Sequence, residues 1–186
     1  MDQAPGALSL SLASPDEREA ALFARLTELG IPWTTHVHAP VFTVAEAAAL
    51  YASQPGGHTK NLFLKDKKSA LFLVTALEDA EIELKSLHRR LGATGRFSFG
   101  SADAMLETLG VLPGSVTPFG LINDTARRVT VILDEALMRH DTINAHPLTN
   151  TMTTSLARND LVRFLESTGH PPRIVPITGP DPATLG

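Results

Sequence analysis

Residues 58–74 read HTKNLFLKDKKSALFLV, and this stretch sets the fold of the chain. Two apolar runs, Leu62–Leu64 and Ala70–Val74, flank the polar turn Lys65–Lys68. This arrangement predicts a β-hairpin that follows the glycine-rich turn Gly56–Gly57. Because both runs are continuously apolar rather than alternating, we expect other elements to cover both faces of the sheet.

Lys60 and Asn61 stand where the loop before this hairpin becomes strand. A cation and an amide at the mouth of a buried sheet can be held rigidly and still contact a ligand. A lysine at a strand end can equally bury its aliphatic stem and keep its ammonium group in water. The local sequence leaves these two interpretations of Lys60 open.

The composition limits the possible functions. The chain has 186 residues, 43% of them hydrophobic, and a formal net charge of −4. This length suits one domain with a substantial core, and no apolar run approaches the roughly 20 residues needed to span a membrane. The absence of cysteine excludes disulfides, thiolate metal sites and a cysteine nucleophile, and it fits a reducing cytoplasm. The acidic balance means that any RNA contact must come from a local basic patch, for which the alternative is a solvated charged face.

Helix and strand signals alternate along the chain. The segments Ser14–Glu17 and Thr43–Glu46 are capping-box patterns, which predict helices that end near Gly30 and Pro55. Further helices are expected at 83–91, after the Ser101 cap and at 157–168, and further strands at 33–38, 97–99, 128–134, 150–156 and 173–177. Interleaved helices and strands with several short connections predict an α/β (α+β) fold, a mixed β-sheet surrounded by helices.

The histidines give only a weak metal signal. His36 and His38 lie two apart on a predicted strand and share a face, but no HExxH motif or cysteine spacing accompanies them. We therefore predict no metal site and no cofactor. The sequence also lacks a GxSxG elbow, a P-loop and a GxGxxG motif.

Residues 113–118, PGSVTP, carry more information. Two prolines bracket Gly114 and Ser115, which stiffens the loop and exposes its backbone N–H groups. Such groups can bind an anionic oxygen or polarise a carbonyl, and the alternative is a plain structural turn. His146 precedes Pro147, which biases it toward an extended conformation. This histidine is either structural or a hydrogen-bonding partner of a ligand.

Taken together, these segments resemble the YbaK/prolyl-tRNA-synthetase-associated editing domain family, in particular its ProX/PrdX (ProXp-ala-like) branch. The resemblance runs from about Pro32 to Ile177. It rests on the order and spacing of the segments Val41–Thr43, Lys60–Leu64, Gly114–Pro118, His146–Pro147 and Ser167–His170.

The resemblance implies a trans-editing aminoacyl-tRNA deacylase, a hydrolase that maintains translation fidelity. Its implied reaction is hydrolysis of the ester of mischarged tRNA(Pro), with Ala-tRNA(Pro) as the substrate. The family implies that Lys60 lies in the active site, and its Gly-Ser-x-x-Pro loop carries over to Gly114, Ser115 and Pro118. The implied partners are mischarged tRNA(Pro) and prolyl-tRNA synthetase, with no membrane.

These residues suggest a hypothetical mechanism in which Lys60 and the Gly114–Ser115 bend meet in one small cavity. Lys60 holds the terminal phosphate or ester oxygen of the substrate by charge-assisted hydrogen bonding. Backbone groups of Gly114 and Ser115 position the ester and the attacking water, which the neighbouring ribose hydroxyl helps to activate. The expected substrate-binding residues are Phe42, Thr43, Asn61, Val116, Thr117, Pro118 and His146.

Two alternatives stay open from the sequence. One is a deacylase of the same fold for Cys-, Thr- or Ser-charged tRNA, and the other is a non-catalytic module that binds tRNA or a synthetase. In each case we expect a cytoplasmic protein with one domain over residues 14–178. A flexible lead, 1–13, and a flexible tail, 179–186, are expected on either side.

Overall fold

The computed structural model describes residues 13–41 and 43–180. The predicted contact residue Phe42 lies outside the described residues, as do most of the predicted lead and tail, so the domain boundaries stay a prediction. The helices are α1 Pro15–Glu28, α2 Val44–Ser53, α3 Leu84–Leu91, α4 Ala102–Leu109 and α5 Arg158–Ser167. The strands are β1 Thr34–Val37, β2 Gly57–Lys65, β3 Leu71–Leu77, β4 Ser98–Phe99, β5 Val129–Asp134, β6 Thr142–Ala145, β7 Met152–Ala157 and β8 Arg173–Val175.

The strands form one mixed sheet in the order β1-β7-β6-β2-β3-β5-β8, and β4 pairs with β2. The β2–β3 hairpin is antiparallel, as are the pairs β1–β7 and β6–β7. The pairs β2–β6, β3–β5 and β5–β8 are parallel. The predicted fold class, a mixed sheet with helices around it, is therefore confirmed. Within the described residues, no helix is long and apolar enough to cross a membrane.

The central hairpin is covered on both faces, as its continuous apolar runs predict. Phe63 of β2 belongs to the larger buried cluster, which includes Leu22 of α1 and Phe164 of α5. Its neighbour Leu64 belongs to a second cluster, which includes Leu87 of α3. Since successive strand residues point to opposite faces, one hairpin holds both clusters together.

Two elements have no counterpart among the predicted ones. The strand β6 is four residues long and contains no apolar periodicity that distinguishes it from a loop. This segment becomes a strand because it pairs in parallel with the start of β2 and antiparallel with β7. The second element is a 3-10 helix at Pro118–Asn123, inside a segment where a loop is expected. Phe119 of this turn is fully buried and stacks edge-on against Phe164, at 5.4 Å between ring centroids.

The segment Ser167–His170 has a structural role in this fold. His170 is 3% exposed, and its Nε2 lies 2.9 Å from Oδ2 of the equally buried Asp124. Asp124 also accepts a hydrogen bond from the backbone N–H of Val129, at 2.9 Å. Burial alone would raise the pKa of Asp124, but the hydrogen bonds from His170 and from two backbone N–H groups together lower that pKa below its usual value. The pair joins the end of α5 to the turn before β5.

This pair predicts a loss of stability in acid. Because the pKa of Asp124 is lower in the folded state than the ordinary value of 3.8, its contribution is complete above that pH and is lost as the pH falls below it. We expect the Asp124→Asn variant to lose about 1–3 kcal/mol of unfolding free energy at pH 7 and to show a shallower decline in acid. Urea unfolding between pH 7 and pH 3 measures both quantities. The exposed Glu166→Gln change is the matched control, and an unaltered acid decline in Asp124→Asn would contradict the assignment.

Candidate active site

A cavity of about 450 Å³ opens where α2 covers the start of β2 and the end of β6. The helix contributes small and apolar side chains, among them Ala47 and Leu50. The strand ends contribute Thr59 and Ala145, and the loop after α4 contributes Gly114. This volume lies within the roughly 300–1,000 Å³ that is usual for small-molecule sites. The mixture of small apolar and polar side chains suits a small ligand with several hydrogen-bonding groups.

His146 follows β6 and lines the cavity. Its Nδ1 lies 3.0 Å from the carbonyl oxygen of Met152, and since a carbonyl only accepts, Nδ1 carries the proton. Burial lowers the pKa of His146, and the nearby His38 lowers it further. The hydrogen bond to Met152 raises this pKa, but its effect is smaller than that of burial. The ring is therefore neutral at pH 7, and its Nε2 is an acceptor for a ligand or a water.

His38, at the end of β1, forms the neighbouring part of the wall. Its Nδ1 lies 2.8 Å from the carbonyl oxygen of Ala39, and its Nε2 lies 2.9 Å from the hydroxyl of Thr153 on β7. These two contacts fix the orientation of the ring. Among the described residues, no group of three or more His, Cys, Asp or Glu side chains could hold a metal ion.

A cluster of three side chains, Tyr51, His58 and Glu78, forms another part of the lining. The rings of Tyr51 and His58 lie 4.0 Å apart between centroids, and His58 Nε2 donates to the carbonyl oxygen of Gln54 at 2.6 Å. Burial raises the pKa of Tyr51, and the neighbouring Glu78 carboxylate raises it further. Burial lowers the pKa of His58 despite the hydrogen bond to Gln54 and the charge of Glu78.

The predicted Gly-Ser-x-x-Pro loop divides between the cavity and the core. Gly114 lines the cavity with φ at +90°, a backbone conformation that favours glycine. Ser115 is 9% exposed, and its N–H donates to the carbonyl oxygen of Leu112 at 3.0 Å. Val116 packs against the larger core cluster, and Thr117 and Pro118 are buried where they begin the 3-10 helix. The buried part of the loop therefore holds Gly114 in place.

Lys60 and Asn61 occupy the next positions of β2 beyond the cavity residue Thr59. The Lys60 ammonium is partly buried and donates to the carbonyl oxygen of Ala80. The Asn61 side-chain oxygen accepts a hydrogen bond from Thr75 at 2.7 Å. The structure thus brings Thr43, Gly114 and His146 together on one lining, while Lys60 and Asn61 adjoin it and are not part of it. Their roles in binding and catalysis stay predictions.

Several residues of the cavity lining were not predicted from the sequence as site residues. The sequence indicates His38 only as one of two histidines in a weak metal-binding pattern, and Tyr51, His58 and Glu78 belong to no recognisable motif. Tyr51 and Glu78 are far apart in the chain, and nothing local indicates that α2 and the end of β3 meet. A lone tyrosine in an alanine-rich helix is the only irregularity that singles out Tyr51.

The fold and the cavity define a domain of mixed α/β class with a small, partly polar cavity at the ends of its central strands. Residues 38–164 match the family model of the aminoacyl-tRNA editing domain. This range covers most of the chain, and the chain belongs to the aminoacyl-tRNA editing domain family. The resemblance inferred from the sequence motifs is confirmed.

Relatives and solved structures agree with this membership. A prolyl-tRNA synthetase associated domain-containing protein 1 from Danio rerio is 43% identical over 152 residues, which are 81% of this chain and 82% of that protein. The prolyl-tRNA editing protein ProX of Acetoanaerobium sticklandii is 34% identical over 155 residues, which are 83% of this chain and 94% of that protein. The crystal structure of a candidate trans-editing enzyme for prolyl-tRNA synthetase matches 91% of this chain and 99% of its own with a TM-score of 0.68. At 20% identity that structural likeness supports the fold alone.

Proposed function

We propose that this chain is a trans-editing deacylase that hydrolyses the ester of mischarged tRNA(Pro), with Ala-tRNA(Pro) as its main substrate. The observation that supports this most directly is the shared lining of the cavity by Gly114 and His146, which lie on separate sequence motifs. The family membership and the similarity to the ProX editing protein support the reaction class. The reaction takes place where translation does, which places the proposed activity in the cytoplasm.

The need for such an enzyme follows from pocket energetics. A synthetase pocket that accepts proline cannot strongly exclude the smaller alanine, because each lost methylene is worth only about 1–3 kcal/mol. A second pocket that admits alanine and excludes proline completes the discrimination. In this chain we assign that pocket to the apolar part of the cavity, with Ala47, Leu50 and Ala145 as its walls and Thr43 at its edge.

Lys60 is the proposed electrostatic group. An ammonium has three N–H donors, and one of them is directed at the carbonyl oxygen of Ala80. The other two are available for the terminal phosphate or the ester oxygen of the substrate. A charge-assisted hydrogen bond from a partly buried lysine is stronger than one in water because the local dielectric is lower.

Gly114 is the proposed backbone donor. The N–H of Ser115 is already bound to Leu112, and no acceptor among the described residues takes the N–H of Gly114. We assign the Gly114 N–H to the ester carbonyl, with Ser115 holding the loop in shape. The ribose hydroxyl beside the ester helps to activate the water, so that no protein nucleophile is needed.

His146 and Asn61 are the proposed orienting groups. Neutral His146 can accept a hydrogen bond at Nε2 from the ribose or from the attacking water. The Asn61 carbonyl oxygen is engaged by Thr75, which leaves its NH₂ group for the ribose or aminoacyl oxygen. The partners of the reaction are mischarged tRNA(Pro) and, for recruitment, prolyl-tRNA synthetase, because an acidic chain attracts tRNA weakly on its own.

A panel of charged tRNAs tests the proposal. Purified protein is incubated with tRNA(Pro) carrying Ala, Cys, Ser, Thr or Pro, and the loss of the ester is followed over time. We expect Ala-tRNA(Pro) to be hydrolysed about 10- to 200-fold faster than Pro-tRNA(Pro). If the Cys, Ser or Thr ester is hydrolysed faster, that ester and not Ala-tRNA(Pro) is the main substrate. If the protein binds tRNA but hydrolyses none of these esters, it is a binding module and not a deacylase.

A further inference from the structure

One residue of the cavity lining, Glu78, carries a carboxylate to which the proposed mechanism assigns no role. Among the described residues that line the cavity, Glu78 is the only one with a carboxylate. Burial lowers the pKa of both His58 and His146, so these two rings are neutral at pH 7. The lining therefore carries a negative charge on one wall, and this wall favours a cationic group on the ligand.

Backbone hydrogen bonds fix the turn that carries Glu78. The backbone N–H of Glu78 donates to the carbonyl oxygen of His58 at 2.9 Å, and the N–H of Ala80 donates to the carbonyl oxygen of Leu77 at 3.0 Å. These bonds form a turn at the end of β3, and the Lys60 ammonium donates to the carbonyl oxygen of Ala80 in the same turn. Tyr51 lines the same cavity as Glu78, and the Glu78 carboxylate contributes to the raised pKa of Tyr51.

Glu78 also has capacity for a ligand. An ionised carboxylate offers about four lone-pair sites to hydrogen-bond donors. The residue is exposed to solvent, and no Lys, Arg or His in the described part of the chain forms an ion pair with it. A carboxylate that lines a cavity, is accessible to solvent and has no cationic partner can bind an ammonium group.

From this placement we infer that Glu78 binds the α-ammonium group of the aminoacyl ester. The inference rests on the proposed function, because the substrate class supplies that group: an aminoacyl ester has a free α-amine beside the scissile carbonyl. An ammonium bound at Glu78 orients the ester within the cavity that Glu78 shares with His146. The cavity then distinguishes esters with a free amine from esters whose amine is acylated.

Deacylation of paired substrates tests this inference. The substrates are Ala-tRNA(Pro) and N-acetyl-Ala-tRNA(Pro), and the variants are Glu78→Gln and the control Glu81→Gln, an exposed carboxylate that is not on the cavity lining. We expect Glu78→Gln to lower kcat/KM for Ala-tRNA(Pro) about tenfold and to leave the N-acetyl substrate unchanged. Glu81→Gln should behave as the wild type. An equal loss on both substrates, or no loss on either, overturns the inference.

A binding measurement separates this inference from the proposed reaction. The probe is 3′-deoxy-3′-(L-alanylamino)adenosine, an amide that cannot undergo ester hydrolysis, together with its N-acetyl form. We expect Glu78→Gln to weaken binding of the free-amine probe about tenfold and not that of the acetylated probe. If the wild type hydrolyses no ester but Glu78→Gln still weakens binding of the free-amine probe alone, the proposed reaction is refuted and the Glu78 binding site is supported. If it hydrolyses Ala-tRNA(Pro) while Glu78→Gln binds both probes normally, the site is wrong and the reaction stands.

Discussion

The Lys60→Ala variant is expected to lower kcat/KM for Ala-tRNA(Pro) by about 10²–10³-fold, the loss that follows removal of one strong donor to a developing negative charge. The Lys60 ammonium is partly buried, and its bond to the Ala80 carbonyl oxygen aligns it without using all of its donors. Alanine at this position removes the charge and leaves the strand pairing of β2 with β3 intact, because that pairing is made by backbone atoms. Deacylation kinetics under single-turnover conditions measure the effect.

Two further variants separate charge from other roles of this lysine. Lys65→Ala is the matched control, since Lys65 is exposed at the far end of the same strand and its loss should leave activity unchanged. Lys60→Met keeps the aliphatic stem and should be as inactive as Lys60→Ala. Because Lys60 also supports the turn that carries Glu78, both substrates of the paired assay must be measured. Loss on the free-amine substrate alone would show that Lys60 acts through Glu78, and wild-type turnover in Lys60→Ala would refute its role altogether.

Gly114→Ala is the second substitution for which a large loss is expected, of about 10²-fold in kcat/KM. A Cβ at Gly114 has no atom of the protein within 4 Å, so the added methyl group projects into open space at the edge of the cavity. There it would displace an ester held by the Gly114 N–H, and a misplacement of about 1 Å can cost about 10²-fold in rate. The backbone strain of a side chain at a φ of +90° adds about 1–2 kcal/mol of destabilisation.

The control for this strain is Gly92→Ala. Gly92 ends α3 with φ at +68°, and a Cβ there also has no atom within 4 Å, but the residue is not on the cavity lining. Both variants should unfold at lower urea concentration than the wild type, and only Gly114→Ala should lose deacylation. If both lose activity to the same extent, stability accounts for the effect and Gly114 has no part in binding the ester.

The local sequence predicted the ends of helices and strands correctly where capping residues, glycine or proline determine them. The capping boxes at Ser14 and Thr43 are present, with each cap hydroxyl bound to the backbone N–H three residues later. Gly92 ends α3 in the left-handed conformation, as a glycine after a helical pattern predicts. The strand containing Pro176 was expected at an edge, and β8, which ends one residue earlier, is the last strand of the sheet.

The candidate site was predictable only in part. Gly114 and His146 stand out because proline beside each of them restricts the backbone, and both line the cavity. Tyr51 and Glu78 do not stand out, since only the fold, which brings α2 to the end of β3, places them on the same cavity lining. The same limitation applies to Lys60, which adjoins the cavity lining and whose role stays a prediction. The strand position is readable from sequence, but the carbonyl oxygen of Ala80 that binds its ammonium is not.

The sequence by itself determined the β2–β3 hairpin, the helix caps and the membership of the family, because apolar runs, capping residues and motif order are properties of neighbouring positions. Tertiary structure alone decided β6, the 3-10 helix at Pro118–Asn123 and the negatively charged wall of the cavity. Each of these depends on pairing or packing between segments that are distant in the chain. Such contacts form only after the sheet brings those segments together, and no local pattern encodes them.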